Sequence, residues 1–145
     1  MAAMEEALCS YILSKAAVTA LIGSGDAARL YPHALPQDCN LASGAAAIYR
    51  IISSSETGLL TDRAGIVQSR VQITSFANTF SAAIALARAI KNCGIATLKG
   101  LDGGVNFRGV MIEEGINTYD EPPTDGGETW RYIAEFDLRV SYIEG

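Results

Sequence analysis

The side chains that could perform chemistry in this sequence are few and widely spaced. His33 is the one histidine, which excludes any site that needs two imidazole ligands, the HExxH zinc motif included. It follows Pro32 in a segment without a neighbouring cysteine or carboxylate pattern, and a lone histidine of this kind is more typical of polar packing than of proton transfer. The sequence therefore predicts no histidine-based metal site or general base.

Two pairs of carboxylates come closest to a divalent-cation site. Glu113 and Glu114 are adjacent, so on a strand their side chains point to opposite faces and share no ligand. Glu135 and Asp137 share one face of the last predicted strand with Arg139, but no third acidic residue stands near them. We expect Glu135, Asp137 and Arg139 to form a charge ladder that faces solvent or a neighbouring subunit.

Nucleotide-binding and nucleophile motifs are missing from the sequence. Gly-Ser-Gly at 23–25 follows a helix instead of preceding one, and the glycine-rich stretch 100–104 lacks the Lys-Ser/Thr of a phosphate-binding loop. Cys9, Cys39 and Cys93 form no CxxC pair, which favours reduced thiols over one disulfide with one free thiol. We expect Cys93 to be buried and unreactive. The sequence therefore predicts no set of residues that could act together in catalysis.

The composition indicates one apolar and weakly charged domain. No repeat or linker interrupts the 145 residues, so we assign 1–145 to a single domain. Apolar residues make up 49%, charged residues 19%, and the net charge is −5, which argues against a disordered chain or a nucleic-acid coat. The acidic N-terminus and short apolar tracts predict no signal peptide and no membrane helix. The apolar excess indicates a large core or an apolar surface that faces a partner.

Hydrophobic periodicity predicts the elements that carry these side chains. Apolar residues recur every three or four positions in 5–22 and 79–93, which predicts two helices, the second capped by Asn78 or Thr79. Strands are predicted at 45–53, 66–76, 105–117 and 130–143, with loops at 54–65 and 120–129 and a turn at 102–104. The predicted fold class is α+β: a mainly antiparallel sheet of about four strands with two main helices packed on one face.

Several stretches resemble the small tail completion, or tail terminator, proteins of long-tailed phages and related prophage particles. These stretches are AAVTALIG (16–23), RLYP (29–32), LPQ (35–37), AIYRIIS (47–53), SRVQITSFA (69–77), TFSAAIALARAI (79–90) and YIAEFDLRVSY (132–142). Together they extend over nearly the full length, and they are features of a scaffold instead of an active site.

The resemblance implies a structural virion protein without catalytic residues, cofactor or metal. Proteins of this kind form a homo-oligomeric ring, usually a hexamer, that caps the tail tube protein and joins it to the head–tail connector or head-closure protein. The implied location is the tail–neck junction of a virion assembled in the host cytoplasm. DNA would pass through the channel without specific binding, which an acidic chain favours, and no membrane partner is expected.

Contacts with subunits or partners are expected at strand positions that the core does not use and at the two long loops. Ile133 and Ile143, on the otherwise polar face of the last strand, are also expected to meet a neighbouring subunit. The candidate interface residues are Ile48, Ile52, Glu56, Leu59, Leu60, Asp62, Arg63, Tyr119, Asp120, Glu121, Glu135, Asp137 and Arg139.

Two alternatives stay open at the level of sequence. A head-closure or neck adaptor protein, or a minor tail protein, combines helices and a sheet in a similar way. A small cellular α+β domain that binds a ligand or acts as an enzyme would need a pocket with converging polar groups, and no motif for such a pocket is visible.

Overall fold

A computed structural model describes residues 3–25, 28–36, 41, 44–57, 66–121 and 131–143. In this part of the chain the six strands form one curled, mixed sheet in the order β1-β2-β3-β6-β5-β4. β1 runs parallel to β2, and all other neighbours are antiparallel. The elements are α1 (Met4–Leu13), α2 (Ala16–Ile22), β1 (Leu30–Pro32), β2 (Ala46–Thr57), β3 (Ile66–Ala77), α3 (Phe80–Lys91), a 3₁₀ turn (Ile95–Thr97), β4 (Gly100–Asp102), β5 (Val105–Glu121) and β6 (Arg131–Ile143).

The predicted fold of about four antiparallel strands with two main helices is wrong. The described residues form six strands, one of which is parallel to its neighbour, and three short helices. β1 and β4 have three residues each, too few to show a periodicity, and they owe their hydrogen bonds to neighbouring strands. The sheet is therefore wider than local sequence patterns indicate.

The predicted helix 5–22 is two helices that meet at Ser14 and Lys15. The Ser14 hydroxyl donates to the Tyr11 carbonyl oxygen at 2.6 Å, and Lys15 is extended with φ −98° and ψ 123°. A serine side chain that bonds the preceding turn competes with the continuation of a helix. A separate helix, α2, begins after this break and carries the buried residues Val18 and Ile22.

Both predicted loops begin later than expected. β2 continues to Thr57 and β5 continues to Glu121, so residues 54–57 and 120–121 belong to strands. Ser54 and Ser55 pair with Ser69 and Gln68 of β3, which supplies backbone partners to a segment whose composition favours a loop. The remaining residues of the two predicted loops lie outside the described part of the chain.

The larger hydrophobic core lies between the three helices and one face of the sheet. Thr79 begins α3, because its Oγ1 accepts a hydrogen bond from the Ala82 amide at 3.2 Å. Val71 and Ile73 of β3 are fully buried, in agreement with the alternation in the sequence. The α3 side chains that complete this core are Ala83, Leu86, Ala87 and Ile90.

A second, smaller cluster covers one end of the opposite sheet face. Phe76 of β3 stands opposite Ile133 of β6, and Ile48 of β2 packs with them. Ile48 is 5% exposed and Ile133 is 2% exposed. The expectation that these two isoleucines face a neighbouring subunit is therefore corrected, because their own chain already buries them. Arg131 lies over the Phe76 ring, 4.9 Å from its centre, and closes the cluster on one side.

Candidate interaction surface

Beyond the second cluster, the same sheet face is polar. We call this surface the polar face. Adjacent strands place its side chains in direct register, with Gln72 between Arg50 and Asp137. Because opposite residues of antiparallel strands share a face, β2, β3, β6 and β5 all contribute to it. Its members are Arg50, Ser53, Gln68, Arg70, Gln72, Thr74, Glu113, Tyr119, Glu135, Asp137 and Arg139.

Arg70 and Asp137 form the buried centre of the polar face. The Arg70 Nε and Nη2 both donate to Asp137 Oδ2, at 2.8 and 2.5 Å. The Asp137 side chain is 7% exposed, whereas 42% of the Arg70 side chain remains exposed. A buried carboxylate needs such a partner, because an unpaired charge loses its hydration without compensation. Asp137 was expected to face solvent or a subunit, and instead it holds β6 to β3.

Glu135 and Arg139 also find their partners across strands. Tyr119 donates its hydroxyl to Glu135 Oε2 at 3.2 Å, and Arg139 forms an ion pair with Glu113. Partial burial, followed by the Glu135 carboxylate, raises the pKa of Tyr119, so the phenol stays a hydrogen-bond donor. The three predicted ladder residues therefore share a face, but their ion pairs and hydrogen bonds run across strands instead of along β6.

Sequence reasoning missed the partners of this ladder. The alternation of β3 places Arg70 on the polar side of the strand, and this is the one sign of its role in the sequence. Nothing in the sequence shows that β3 pairs with β6. Adjacent residues of a regular strand point to opposite faces, so the sequence predicts no shared site for Glu113 and Glu114. In the structure, however, β5 shifts its register between Ile112 and Glu114. Such a bulge turns side chains away from strict alternation, so the spacing of two carboxylates on one strand does not decide their contacts.

A shallow cleft of about 210 Å³ opens on the polar face. It is smaller than the roughly 300–1,000 Å³ typical of small-molecule sites, and both of its arginines already form ion pairs. This cleft is therefore a poor match to the pocket that a ligand-binding domain would need. Its lining residues are Ser53, Ser55, Gln68, Ser69, Arg70 and Arg139.

The described residues bring together no group of three histidine, cysteine, aspartate or glutamate side chains suited to a metal ion. Within the same ranges, no helix is long and apolar enough to cross a membrane. Neither finding adds a chemical site to the polar face.

The two described thiols are both free. Cys9 of α1 is hydrogen-bonded to Tyr49 of β2, and burial raises its pKa to about 12. Cys93 is half-buried instead of fully buried, and burial raises its pKa as well. Thiolates are the reactive form, so both cysteines are poor nucleophiles near neutral pH.

The other predicted interface residues lie mainly on the outer strands. Ile52 occupies the bulge of β2 and is 45% exposed, and Tyr119 of β5 is 46% exposed. Asp120 is exposed on β5, and the next residue, Glu121, forms an ion pair with Arg131 at 3.9 Å. Glu56 lies in β2. Four predicted residues lie outside the described part of the chain: Leu59, Leu60, Asp62 and Arg63.

Exposed apolar side chains on the outer strands are the feature that sequence reasoning missed. Met111 is 63% exposed on β5, Leu101 is 79% exposed on β4, and Ile51 is 36% exposed on β2 beside Ile52. The alternation Val110-Met111-Ile112 predicts that Met111 is exposed, because the residue between two inward-facing positions of a strand points outward. These residues give the outer strands apolar surface that the core does not use.

Both outer edges of the sheet also carry unpaired backbone in the described part of the chain. β1 pairs with residues 47–49 of β2, which leaves residues 50–57 without a described neighbour on the outer side. β4 pairs with residues 105–107 of β5, which likewise leaves 108–121 open. Open strand edges are templates for pairing with another chain.

No protein-family model matches this chain, and no curated protein matches it either. Among solved structures, the chain is similar to a chain in the virion of a native gene transfer agent particle, with a TM-score of 0.59 and 16% sequence identity. The similarity covers 97% of this chain and 94% of the other. It shows a shared fold over nearly the whole of both chains.

Proposed function

We propose that this chain is a structural protein of a phage-like virion. The observation that carries the proposal is the fold it shares with a chain of a gene transfer agent virion, which extends over 97% of its length. This coverage matters because the two chains share their architecture over almost their whole length, and not only in one common substructure. The resemblance of the sequence to tail completion proteins is an independent reason for the same assignment.

Within the virion, we propose the specific role of tail terminator. The chain would form a homo-oligomeric ring of six copies that caps the tail tube and joins it to the head connector at the tail–neck junction. Two open sheet edges and exposed apolar residues on the outer strands support self-association. The proposal assigns the chain no catalytic step and no cofactor.

The charge of the chain supports a passive relation to DNA. The net charge is −5, so a ring of such chains carries a negative charge that repels the phosphate backbone. The proposed channel would let DNA slide through without specific binding. Purified protein should therefore fail to retain double-stranded DNA in a filter-binding assay at low salt, where electrostatic attraction is strongest.

Deletion of the gene in a strain that produces the particle tests the role, with negative-stain electron microscopy as the readout. A tail terminator predicts overlong or headless tails beside filled, unattached heads. Complementation with the wild-type gene should restore joined particles of normal tail length. Normal particles without the gene would contradict the proposal.

The same experiment separates the tail terminator from a head-closure or neck adaptor protein. Loss of an adaptor predicts heads that leak DNA beside free tails of normal length. Tail length therefore distinguishes the two roles, since only a terminator ends the growth of the tube.

A further inference from the structure

The two open edges of the sheet differ, which determines how two copies can meet. One edge is residues 50–57 of β2, and the other is residues 108–121 of β5. We call them the β2 edge and the β5 edge. Pairing of unlike edges is heterologous, and repeated heterologous contacts close into a ring when the rotation between copies allows it.

Strand directions favour the contact between unlike edges. β2, β3, β6 and β5 are consecutive neighbours and alternate in direction, so β5 runs opposite to β2. A second copy in the same orientation therefore presents its β2 edge antiparallel to the β5 edge of the first. Antiparallel pairing continues the sheet without turning the copy over, and the helices of both copies stay on the same side.

The apolar residues of the two edges lie in the same or in neighbouring register rows. Registers across the four strands join Ile51 to Val71, Val71 to Leu138, and Leu138 to Ile112. Ile52 follows Ile51 on the β2 edge, and Met111 precedes Ile112 on the β5 edge. The next row joins Ser53 to Arg70, Arg139 and Met111, with Ile52 in the bulge between the two rows. A second copy without axial displacement would bring its Ile51 beside Ile112 and its Ser53 beside Met111, and the apolar residues of both edges lose contact with water.

Residues of opposite charge lie on the two edges in the register row next to Ile51 and Ile112. The register joins Arg50 through Gln72 and Asp137 to the position of Glu114. Arg50 is exposed on the β2 edge, and the β5 edge carries the acidic sequence Glu113-Glu114 there. The Glu113 side chain is 28% exposed in its ion pair with Arg139. An arginine on one edge and a partly exposed glutamate on the other favour contact between unlike edges.

We infer that the β5 edge of one copy pairs with the β2 edge of a second copy, through backbone hydrogen bonds, the Ile51–Ile112 contact and the approach of Arg50 to Glu113. The inference rests on the proposed ring and names the surface that builds it. β1 and β4 fit this arrangement, because β1 covers only the start of β2 and β4 only the start of β5. In the described part of the chain, residues 50–55 of β2 and 108–114 of β5 have no neighbouring strand on their outer sides.

Two single substitutions test the inference on the full chain: Ile52→Asp and Met111→Asp. Both side chains are exposed in one copy, at 45% and 63%, so folding should persist, as circular dichroism would show. Each variant loses one edge, and we expect each alone to lose the ring species in light scattering. In a 1:1 mixture, the intact β5 edge of the Ile52→Asp chain can still pair with the intact β2 edge of the Met111→Asp chain. The mixture should therefore give a dimer of twice the 15.3 kDa chain mass. The control Leu21→Asp changes a residue of α2 that is 41% exposed, and it should still form the ring.

The outcomes separate this inference from the proposed function. The edge pairing would be overturned if rings persist in both variants or if either variant alone forms dimers. It would equally be overturned if the 1:1 mixture stays monomeric or if the wild-type chain is monomeric at every concentration. None of these results touches the deletion phenotype, which tests the function. Normal particles after deletion, together with the mixed dimer, would overturn the function and leave the edge pairing in place.

Discussion

Arg70 of β3 and Asp137 of β6 are joined by two hydrogen bonds, from Nε and Nη2 of one guanidinium to a single carboxylate oxygen, Oδ2. The two residues are two positions out of register, since Arg70 stands opposite Arg139 and Asp137 opposite Gln72. The diagonal contact buries the Asp137 carboxylate beneath the Arg70 guanidinium, while Arg139 pairs with Glu113 of β5. The pair therefore stabilises the central strands on which both sheet edges depend.

Removal of the Asp137 charge should destabilise the fold. Asp137→Asn keeps the size of the side chain but weakens both charge-assisted bonds, which predicts a loss of about 1–3 kcal/mol in the free energy of unfolding. The exposed part of Arg70 regains water, so the loss should stay below that of a fully buried pair. Urea unfolding followed by circular dichroism measures it. Glu113→Gln, in the more exposed pair with Arg139, should cost less than about 1 kcal/mol. Equal losses in the two variants would contradict the assigned roles.

Ile48 and Ile52, four residues apart on β2, should respond differently to truncation. Ile48 is 5% exposed in the second cluster, so Ile48→Ala should cost about 2–4 kcal/mol of unfolding free energy through lost burial and a cavity. Ile52 is 45% exposed, and Ile52→Ala should cost less than about 1 kcal/mol when the protein is monomeric. Urea unfolding at low protein concentration compares them. A similar loss for both would mean that Ile48 is not buried by its own chain.

Cys9 should make the fold less stable at alkaline pH. Burial raises the pKa of its thiol from 9.0 to about 12, so the folded chain holds the proton while the unfolded chain releases it. The stabilisation is complete below pH 9 and falls as the pH rises from 9 towards 12. Unfolding free energies measured at pH 8 and pH 10.5 should therefore fall less steeply for Cys9→Ala than for the wild type. Ser10→Ala, at the exposed neighbouring position, should keep the wild-type slope, and a Cys9→Ala slope equal to wild type would refute the assignment.

The sequence predicted the parts of the fold that are stabilised locally. The α3 stripe and its Thr79 cap depend on residues three or four positions apart, and the alternation of β3 and β6 separates inward from outward faces within one strand. The turn before β5 has Gly103 at φ +59°, and a Cβ there would lie 2.9 Å from the Ala7 Cβ, so a glycine marks both the turn and a close approach.

The sequence could not predict the contacts that depend on distant residues. Three-residue strands such as β1 and β4 exist only because a neighbouring strand supplies their hydrogen bonds, and the split at Ser14 depends on a side chain that bonds the helix backbone. Ile133 interrupts a polar alternation, which was interpreted as a subunit contact. It is a core residue because Phe76 and Ile48 come to the same place from other strands.

By itself, the sequence determined which residues face inward on α3 and β3 and that the chain has no histidine or cysteine motif for catalysis. These are properties of residue type and spacing, which a linear chain displays. Only the tertiary structure decided that Asp137 is buried by Arg70, that Ile48 is unavailable to a partner, and that Ile51 and Ile112 stand at equal heights on opposite edges. The reason is that strand order and register are set by pairing between segments far apart in the chain, and one added residue at a bulge changes every contact beyond it.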